Sequence, residues 1–370
     1  MKILIIQDYL RSGGTERQAL LLSRAFAAAG HAVTLVTFRP GGALAPPDPD
    51  REEFRWRVLQ RFDTGLDWFA PGLFSCVERN VPEIVLCLGR MANCHAGGIQ
   101  DLVRDGAPQV AVIATLRTGK PLPWLFRRSL RRVRHVVANS ADGRDRLVAR
   151  NGLPPEKITV IHNALVFPAV IAISRNHSLR EQFGAGPTTK VMLSVAMFRP
   201  EKNQRELVEV AAGLPAGGDW QLWLAGDGPE RAACARLVES RQLGARVKFP
   251  GFYADPTPLY AAADLAVHAS GSEGLSNFLI EAQAHGLPAV ASEAQGIREC
   301  FVPGQTGWAI ARRDHAAFRS AVTRLMSDPP AARAARSAEA AAFARATFDP
   351  ERQVAAYLEL FARLAIATRH

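Results

Sequence analysis

Short runs of β-branched and apolar residues alternate along the chain with longer stretches whose apolar positions recur at helical spacing. That alternation marks βαβ units and hence parallel sheets. In the first half it predicts strands at Lys2–Gln7, Val33–Phe38, Glu83–Leu88, Gln109–Leu116, His135–Ala138 and Thr159–Ile161. Alanine- and leucine-rich stretches lie between them, such as Thr15–Ala29, a helix closed by Gly30. The pattern lapses over residues 165–189, where Pro168, Pro187 and a polar mix predict a domain junction. A second series follows at Lys190–Val195, Trp220–Leu224, Val247–Phe249, Leu265–His268, Pro288–Ala291 and Gly307–Ile310. Two series of similar size predict two doubly wound α/β domains, 1–165 and 166–350. The tail reads as helix from Ala331, with a break at Pro350, and a last helix over 351–370 is free to pack back on the first domain.

A chain of 370 residues suits two domains of ordinary size, and 48% hydrophobic with 22% charged residues fits a soluble globular protein. No run reaches the ~18 apolar residues that span a bilayer. Asp8 interrupts the first apolar run, so it reads as a strand rather than a signal peptide, and a cytoplasmic protein is expected. The five cysteines, Cys76, Cys87, Cys94, Cys234 and Cys300, never form C-x-x-C and are expected to be free thiols. The net charge of +10 attracts polyanions. Part of it is concentrated in Phe126–Arg134, preceded by Trp124 and Leu125. If arginines and apolar residues fall on opposite helix faces, Arg127, Arg128, Arg131 and Arg132 form a membrane patch on an anionic surface; the alternative is a solvated basic helix. Nucleic acid is the other polyanion a basic chain suggests, but the sequence has no recognition module or aromatic stacking pattern for it, and none is expected as a partner.

Ligands of open α/β sheets bind at the carboxyl ends of strands, near helix amino ends. The first such turn, Asp8–Glu16, carries Gly13-Gly14, which permits close backbone approach and positive φ, with Thr15 as helix cap. It is not G-x-G-x-x-G, so a nicotinamide site is not indicated. A plain tight turn is the alternative. The most informative segment is Ser270–Glu281. Gly274 permits a bend, Ser276 or Asn277 caps the next helix, and the amides of Leu275, Ser276 and Asn277 can face a diphosphate. Carboxylates beside a phosphate repel it by about 4 kcal/mol at ~4 Å and an effective dielectric of ~20. Glu273 and Glu281 therefore read as acceptors for hydroxyls, or else as surface glutamates on a capped helix. Arg199 and Lys202, in the turn after Lys190–Val195, can neutralise a departing diphosphate; alone, either reads as a solvated turn residue.

Taken together, these segments resemble the group-1 (family four) retaining glycosyltransferases of the GT-B fold. The resemblance covers essentially the whole chain. It rests on Gly13-Gly-Thr-Glu16, Asn139-Ser140, His162-Asn163, Arg199–Asn203, Gly226-Asp-Gly-Pro229, Val247–Gly251, and above all Glu273-x7-Glu281 followed by Ala282–Val290. It implies two Rossmann-like domains facing across a cleft, the first on the acceptor side and the second binding the nucleotide-sugar. It implies that Glu281 holds the nucleotide ribose, Glu273 the donor sugar, and Lys202 with Arg199 the diphosphate. Gly14 lies near the phosphates or sugar. It further implies a metal-independent reaction with no cofactor beyond the nucleotide-sugar co-substrate. The acceptor attacks on the face the diphosphate leaves, and a glycan or lipid-linked acceptor lies at the inner face of the plasma membrane.

The chain departs from the family pattern at three places. Met197 stands where the family's usual arginine is, with Arg199 two positions on; Ala164 replaces a common glycine. Where many members carry a histidine after Gln109–Leu116, this chain continues Arg117-Thr-Gly-Lys120, so no general base is assigned. Arg117 and Lys120 are candidate contacts for an anionic acceptor or donor, or exposed loop cations. The only D-x-D, Asp48-Pro-Asp50, reads as loop, and no metal site is expected. The competing readings are a related enzyme with a small soluble acceptor, a nucleotide-sugar epimerase or phosphorylase, and a basic nucleic-acid-binding protein.

Overall fold

The computed structural model describes residues 1–11, 13–107, 109–165 and 175–366. It divides into two compact units, Met1–Ala164 with Pro350–His370, and Leu165–Asp349. Residues 166–174 of the predicted junction, including Pro168, and the last four residues of the predicted final helix lie outside the described residues.

The first unit runs β1 (Lys2–Gln7), α1 (Gly14–Ala28), β2 (Ala32–Thr37), β3 (Arg55–Val58), α2 (Leu73–Asn80), β4 (Ile84–Cys87), α3 (Arg90–Gly106), β5 (Ala111–Leu116), α4 (Trp124–Arg132), β6 (His135–Ala138), α5 (Ala141–Asn151) and β7 (Ile158–Val160). The second runs α6 (His177–Gln182), β8 (Lys190–Val195), α7 (Gln204–Ala212), β9 (Trp220–Ala225), α8 (Arg231–Ser240), β10 (Val247–Gly251), α9 (Thr257–Ala262), β11 (Leu265–His268), α10 (Asn277–Ala284), β12 (Ala289–Ser292), β13 (Gly307–Ile310), α11 (His315–Met326) and α12 (Pro330–Thr347). The last helix, α13 (Pro350–Ile366), belongs to the first unit.

The sheets are parallel, in the orders β3-β2-β1-β4-β5-β6-β7 and β10-β9-β8-β11-β12-β13. Alternate strand residues enter different cores because successive side chains point to opposite faces. In β1, Leu4 and Ile6 pack under α2, α3 and α4, while Ile3 and Ile5 meet α1 and α13. The unpredicted strand is β3. It is an edge strand whose Arg55, Arg57 and Val58 are exposed, so it has no apolar run to read.

In each sheet the order reverses once, between β1 and β4 and between β8 and β11. Loops after such neighbouring strands diverge to opposite faces and leave a crevice at their carboxyl ends.

Candidate functional site

In the second unit, the loops after β8 and β11 meet at the reversal point. The chain leaves β8 through Ala196–Arg199 into a tight turn at Pro200–Lys202. Gly226 and Gly228 brace it from the end of β9 with left-handed φ of 127° and 147°. A Cβ on either would fall 2.1 Å from the Ala196 carbonyl oxygen or 2.5 Å from that of Phe198. Only glycine fits both the conformation and the space. Asp227 accepts from the Gly228 amide at 2.8 Å, and α8 begins without a side-chain cap.

The second loop is stitched to the first: the Gly271 amide donates to the Glu201 carbonyl at 2.8 Å, and the Ser270 hydroxyl does so at 3.1 Å. These bonds carry Glu273 to Lys202. The Lys202 Nζ lies 2.6 Å from Glu273 Oε1, and His268 Nε2, at the end of β11, is 2.8 Å from the same oxygen. An ionised carboxylate only accepts, so this ring nitrogen carries the hydrogen. Glu273 and His268 are both buried. Burial alone would raise the Glu273 carboxyl, but Lys202 and His268 overcome it and hold the group down to about 2. Burial pushes His268 below its ordinary value, although Glu273 pulls the other way.

The carboxylate read as free for hydroxyls is thus paired, in this structure, with the cation read as the diphosphate's partner. A carboxylate this far from water stays ionised only beside a positive charge. Both bonds fall on Oε1.

Ser276 occupies the cap position of α10 but makes no capping bond; its hydroxyl turns to His268 Nε2 at 3.4 Å. Asn277 is the first helical residue, so neither caps by side chain. Gly274 makes its bend without left-handed φ. Leu275 and Ser276 are buried, Asn277 half-buried. One turn into α10, Glu281 Oε2 accepts from the Tyr260 hydroxyl at 2.6 Å. The Tyr260 ring stacks on His285 at 4.6 Å. Arg199 is half-buried on the turn that carries Lys202.

In the first unit, the turn after β1 differs from the sequence reading. Gly13 is the cap residue at φ −82°, Gly14 opens α1, and Thr15 is already helical, so neither glycine uses positive φ and Thr15 caps nothing. Asp8, at the reversal point, accepts from the Met91 and Ala92 amides at 2.9 and 2.7 Å. It occupies the amino end of α3, and burial lifts it to about 7 despite those bonds.

Arg117 is not an exposed loop cation. Its guanidinium donates to Asn163 Oδ1 at 2.5 Å and to the Tyr357 hydroxyl of α13 at 2.8 Å, so it braces its own unit. Lys120 is exposed. In helix α4, Phe126 and Leu130 are buried in the core, while Trp124 and Leu125 at its amino end stay exposed. Arg127, Arg128, Arg131 and Arg132 are exposed, and Arg132 pairs with Asp101.

Asp48 of the D-x-D pairs with Arg51 at 3.0 Å. Among the described residues, no group of three or more His, Cys, Asp or Glu is placed to hold a metal ion. No helix among them is long and apolar enough to cross a membrane. All five cysteines are free, four of them buried and Cys94 half-buried.

Two family models divide the chain as the two sheets do. Residues 12–165 match Glycosyltransferase Family 4 and residues 176–342 match Glycosyl transferases group 1. The chain belongs to the group-1, family-four glycosyltransferases.

Among curated members, it is 30% identical over 172 residues to the lipopolysaccharide core biosynthesis glycosyltransferase LpsE of Rhizobium meliloti, covering 46% of this chain and 48% of that one. It is 29% identical over 150 residues to the N-acetyl-alpha-D-glucosaminyl L-malate synthase of Bacillus anthracis, covering 40% and 39%. The chain thus spans half or less of the length of these relatives. Among solved structures, HepE of Anabaena in complex with UDP aligns with a TM-score of 0.82 at 21% identity, over 98% of this chain and 100% of that one. With its two parallel sheets and interleaved helices, the chain has the two-domain GT-B fold.

Sequence reasoning missed His268 and Tyr260 as partners of the two family glutamates. His268 left a signal: it ends a predicted strand five residues before Glu273. Tyr260 left none, because it reaches Glu281 across 21 residues from another helix.

Proposed function

We propose that the chain is a retaining glycosyltransferase that moves a sugar from a nucleotide-sugar to a glycan or lipid-linked envelope acceptor at the cytoplasmic membrane face. The observation that carries this is the meeting of Lys202, buried Glu273 and the amino end of α10 at the β8/β11 reversal point. There the diphosphate takes Lys202 over from Glu273, with Arg199 and the Leu275–Asn277 amides completing its charge. Glu273 is left to accept from sugar hydroxyls, steadied from behind by His268. Glu281, backed by Tyr260, accepts from the ribose. The second unit binds the donor and the first the acceptor.

In the reaction, the anomeric carbon–phosphate oxygen bond breaks as the acceptor oxygen bonds the same face. The acceptor proton passes to the leaving phosphate. Lys202, Arg199 and the helix amides supply the positive charge, so no metal or further cofactor is required by this reading. LpsE's role in lipopolysaccharide core biosynthesis supports an envelope acceptor. HepE's complexes with UDP and UDP-glucose put uridine donors first. The L-malate synthase relative supports a second reading, transfer to a small soluble acceptor.

A thermal-shift screen against UDP-, GDP-, ADP- and dTDP-sugars tests donor binding, since a ligand of the native state raises Tm, by about 2.7 kcal/mol of stabilisation at a hundredfold excess over Kd. One donor class is expected to shift the wild type and to lose its shift in Glu281→Ala. Lys202→Ala is expected mainly to slow turnover. NMR of the product's anomeric proton then reads retention or inversion. Silence from all four donors, or an inverted product, contradicts the reading.

A further inference from the structure

The segment between β3 and α2 is built inside out. Phe62 is 73% exposed, Trp68 59%, Phe69 40%, and Phe74, just inside α2, 43%. Polar contacts to buried groups of the same unit tie the segment down instead. Buried Arg39 clamps Asp63 at 2.7 and 2.9 Å and Asp67 at 2.6 Å, with its guanidinium 4.1 Å over the Tyr9 ring. Buried Gln60 donates to the carbonyls of Leu66 and Phe69 at 3.1 and 2.6 Å and accepts from the Thr64 hydroxyl at 2.8 Å. Burying such aromatic side chains stabilises a fold, so a loop free to turn these rings inward would do so. The ion pairs and Gln60 hold them outward.

Helix α3 places this segment beside α4. On one face, His95 Nε2 meets the Trp68 carbonyl at 3.3 Å and Gly98 lies under the tip of the Phe74 ring. On the adjoining face, the Gly97 amide donates to Ser129 Oγ of α4 at 3.0 Å. The amino end of α4 adds Trp124 and Leu125, 61% and 50% exposed. Exposed Arg57 and Arg61 flank the segment, and exposed Arg127, Arg128 and Arg131 flank α4. The acids among them are already spent, Asp63 on Arg39 and Asp67 on Arg39 and Arg11. Apolar rings on a polar-rimmed surface mark an interaction site, and tryptophans among arginines fit the interface of an anionic bilayer.

We propose that segment 62–74 and the amino end of α4 form one docking surface for an anionic lipid bilayer. The rings enter the headgroup region and the arginines meet the lipid phosphates. The basic helix supplies charge, while insertion belongs to the aromatic segment. This surface rests on the lipid-linked acceptor reading only for its purpose.

The full-length protein is co-sedimented with phosphatidylglycerol/phosphatidylethanolamine vesicles and, separately, with phosphatidylcholine vesicles. Wild type is expected to bind the anionic vesicles and to weaken as salt rises above about 0.1 M, where the screening length falls to ~10 Å. The double variant Trp68→Ser, Phe69→Ser is expected to bind about tenfold more weakly with unchanged Tm and donor-induced shift. Arg127→Glu with Arg128→Glu is expected to lose the preference for anionic vesicles. Equal binding by wild type and the ring variant, or no binding by wild type, overturns the proposal. So does a wild-type dimer that the ring variant converts to monomer, because a second copy then covers the surface. Vesicle binding without transfer to a lipid-linked acceptor fails the acceptor reading alone; transfer in detergent without vesicle binding fails the surface alone.

Discussion

Glu273 is a carboxylate held ionised where water scarcely reaches, and its neighbours set its chemistry. Its folded value of about 2 lies below the ordinary 4.5, so the stability it contributes is complete above 4.5 and is lost as pH falls toward 2. His268, held below 6.5, contributes stability above that value and loses it as pH falls. Thermal melts between pH 7 and 3 are therefore expected to show declining Tm, with the lower part of the decline flattened in Glu273→Gln. An unchanged slope in that variant contradicts the assignment.

In the proposed mechanism His268 is a positioning residue, acting on the sugar through Glu273. His268→Leu is expected to lower kcat about tenfold or more while leaving the Kd for UDP, which carries no sugar, unchanged. His268→Gln, which keeps a donor, should recover much of the loss. Equal losses in kcat and UDP affinity point to a merely structural histidine.

The spacing of Glu273 and Glu281 was legible as a loop carboxylate and a helix carboxylate. The Lys202–Glu273 pair was not, because 71 residues separate partners that only the parallel β8/β11 neighbourhood brings together.

At the scale of elements, two serines occupy cap positions but do different things. Ser140 Oγ accepts from the Gly143 amide at 3.1 Å and caps α5, whereas Ser276 turns away from its helix. Ser140→Ala is expected to cost about 1 kcal/mol in denaturant unfolding, and Ser276→Ala less, since no capping bond is lost. The reverse order overturns the reading of Ser276.

Strands with continuous apolar runs, such as β1, β8 and β11, were legible because both their faces are buried. The edge strand β3 was not, for its arginines face water. Helix α4 is ambiguous in a different way. Its sequence segregates arginines from apolar residues, but the same pattern serves a helix docked on a protein core and one lying on lipid.

For the whole molecule, two doubly wound sheets were readable from alternation alone. The placement of α13 was not fixed by pattern, because it depends on Tyr357, Leu360 and Phe361 meeting α1 across more than 300 residues. The reversal points make the fold's demand on function concrete, since each places two loops at the carboxyl edge of one sheet. In the second unit those loops already hold an ion pair that a diphosphate is suited to divide.

The most direct measurement is a crystal structure with a hydrolysis-resistant nucleotide-sugar bound. The account predicts the pyrophosphate beside Lys202 Nζ and the Ser276 amide, with the Lys202–Glu273 bond opened and Glu273 turned to the sugar. Pyrophosphate located elsewhere, or an ion pair left intact beneath a bound donor, contradicts it.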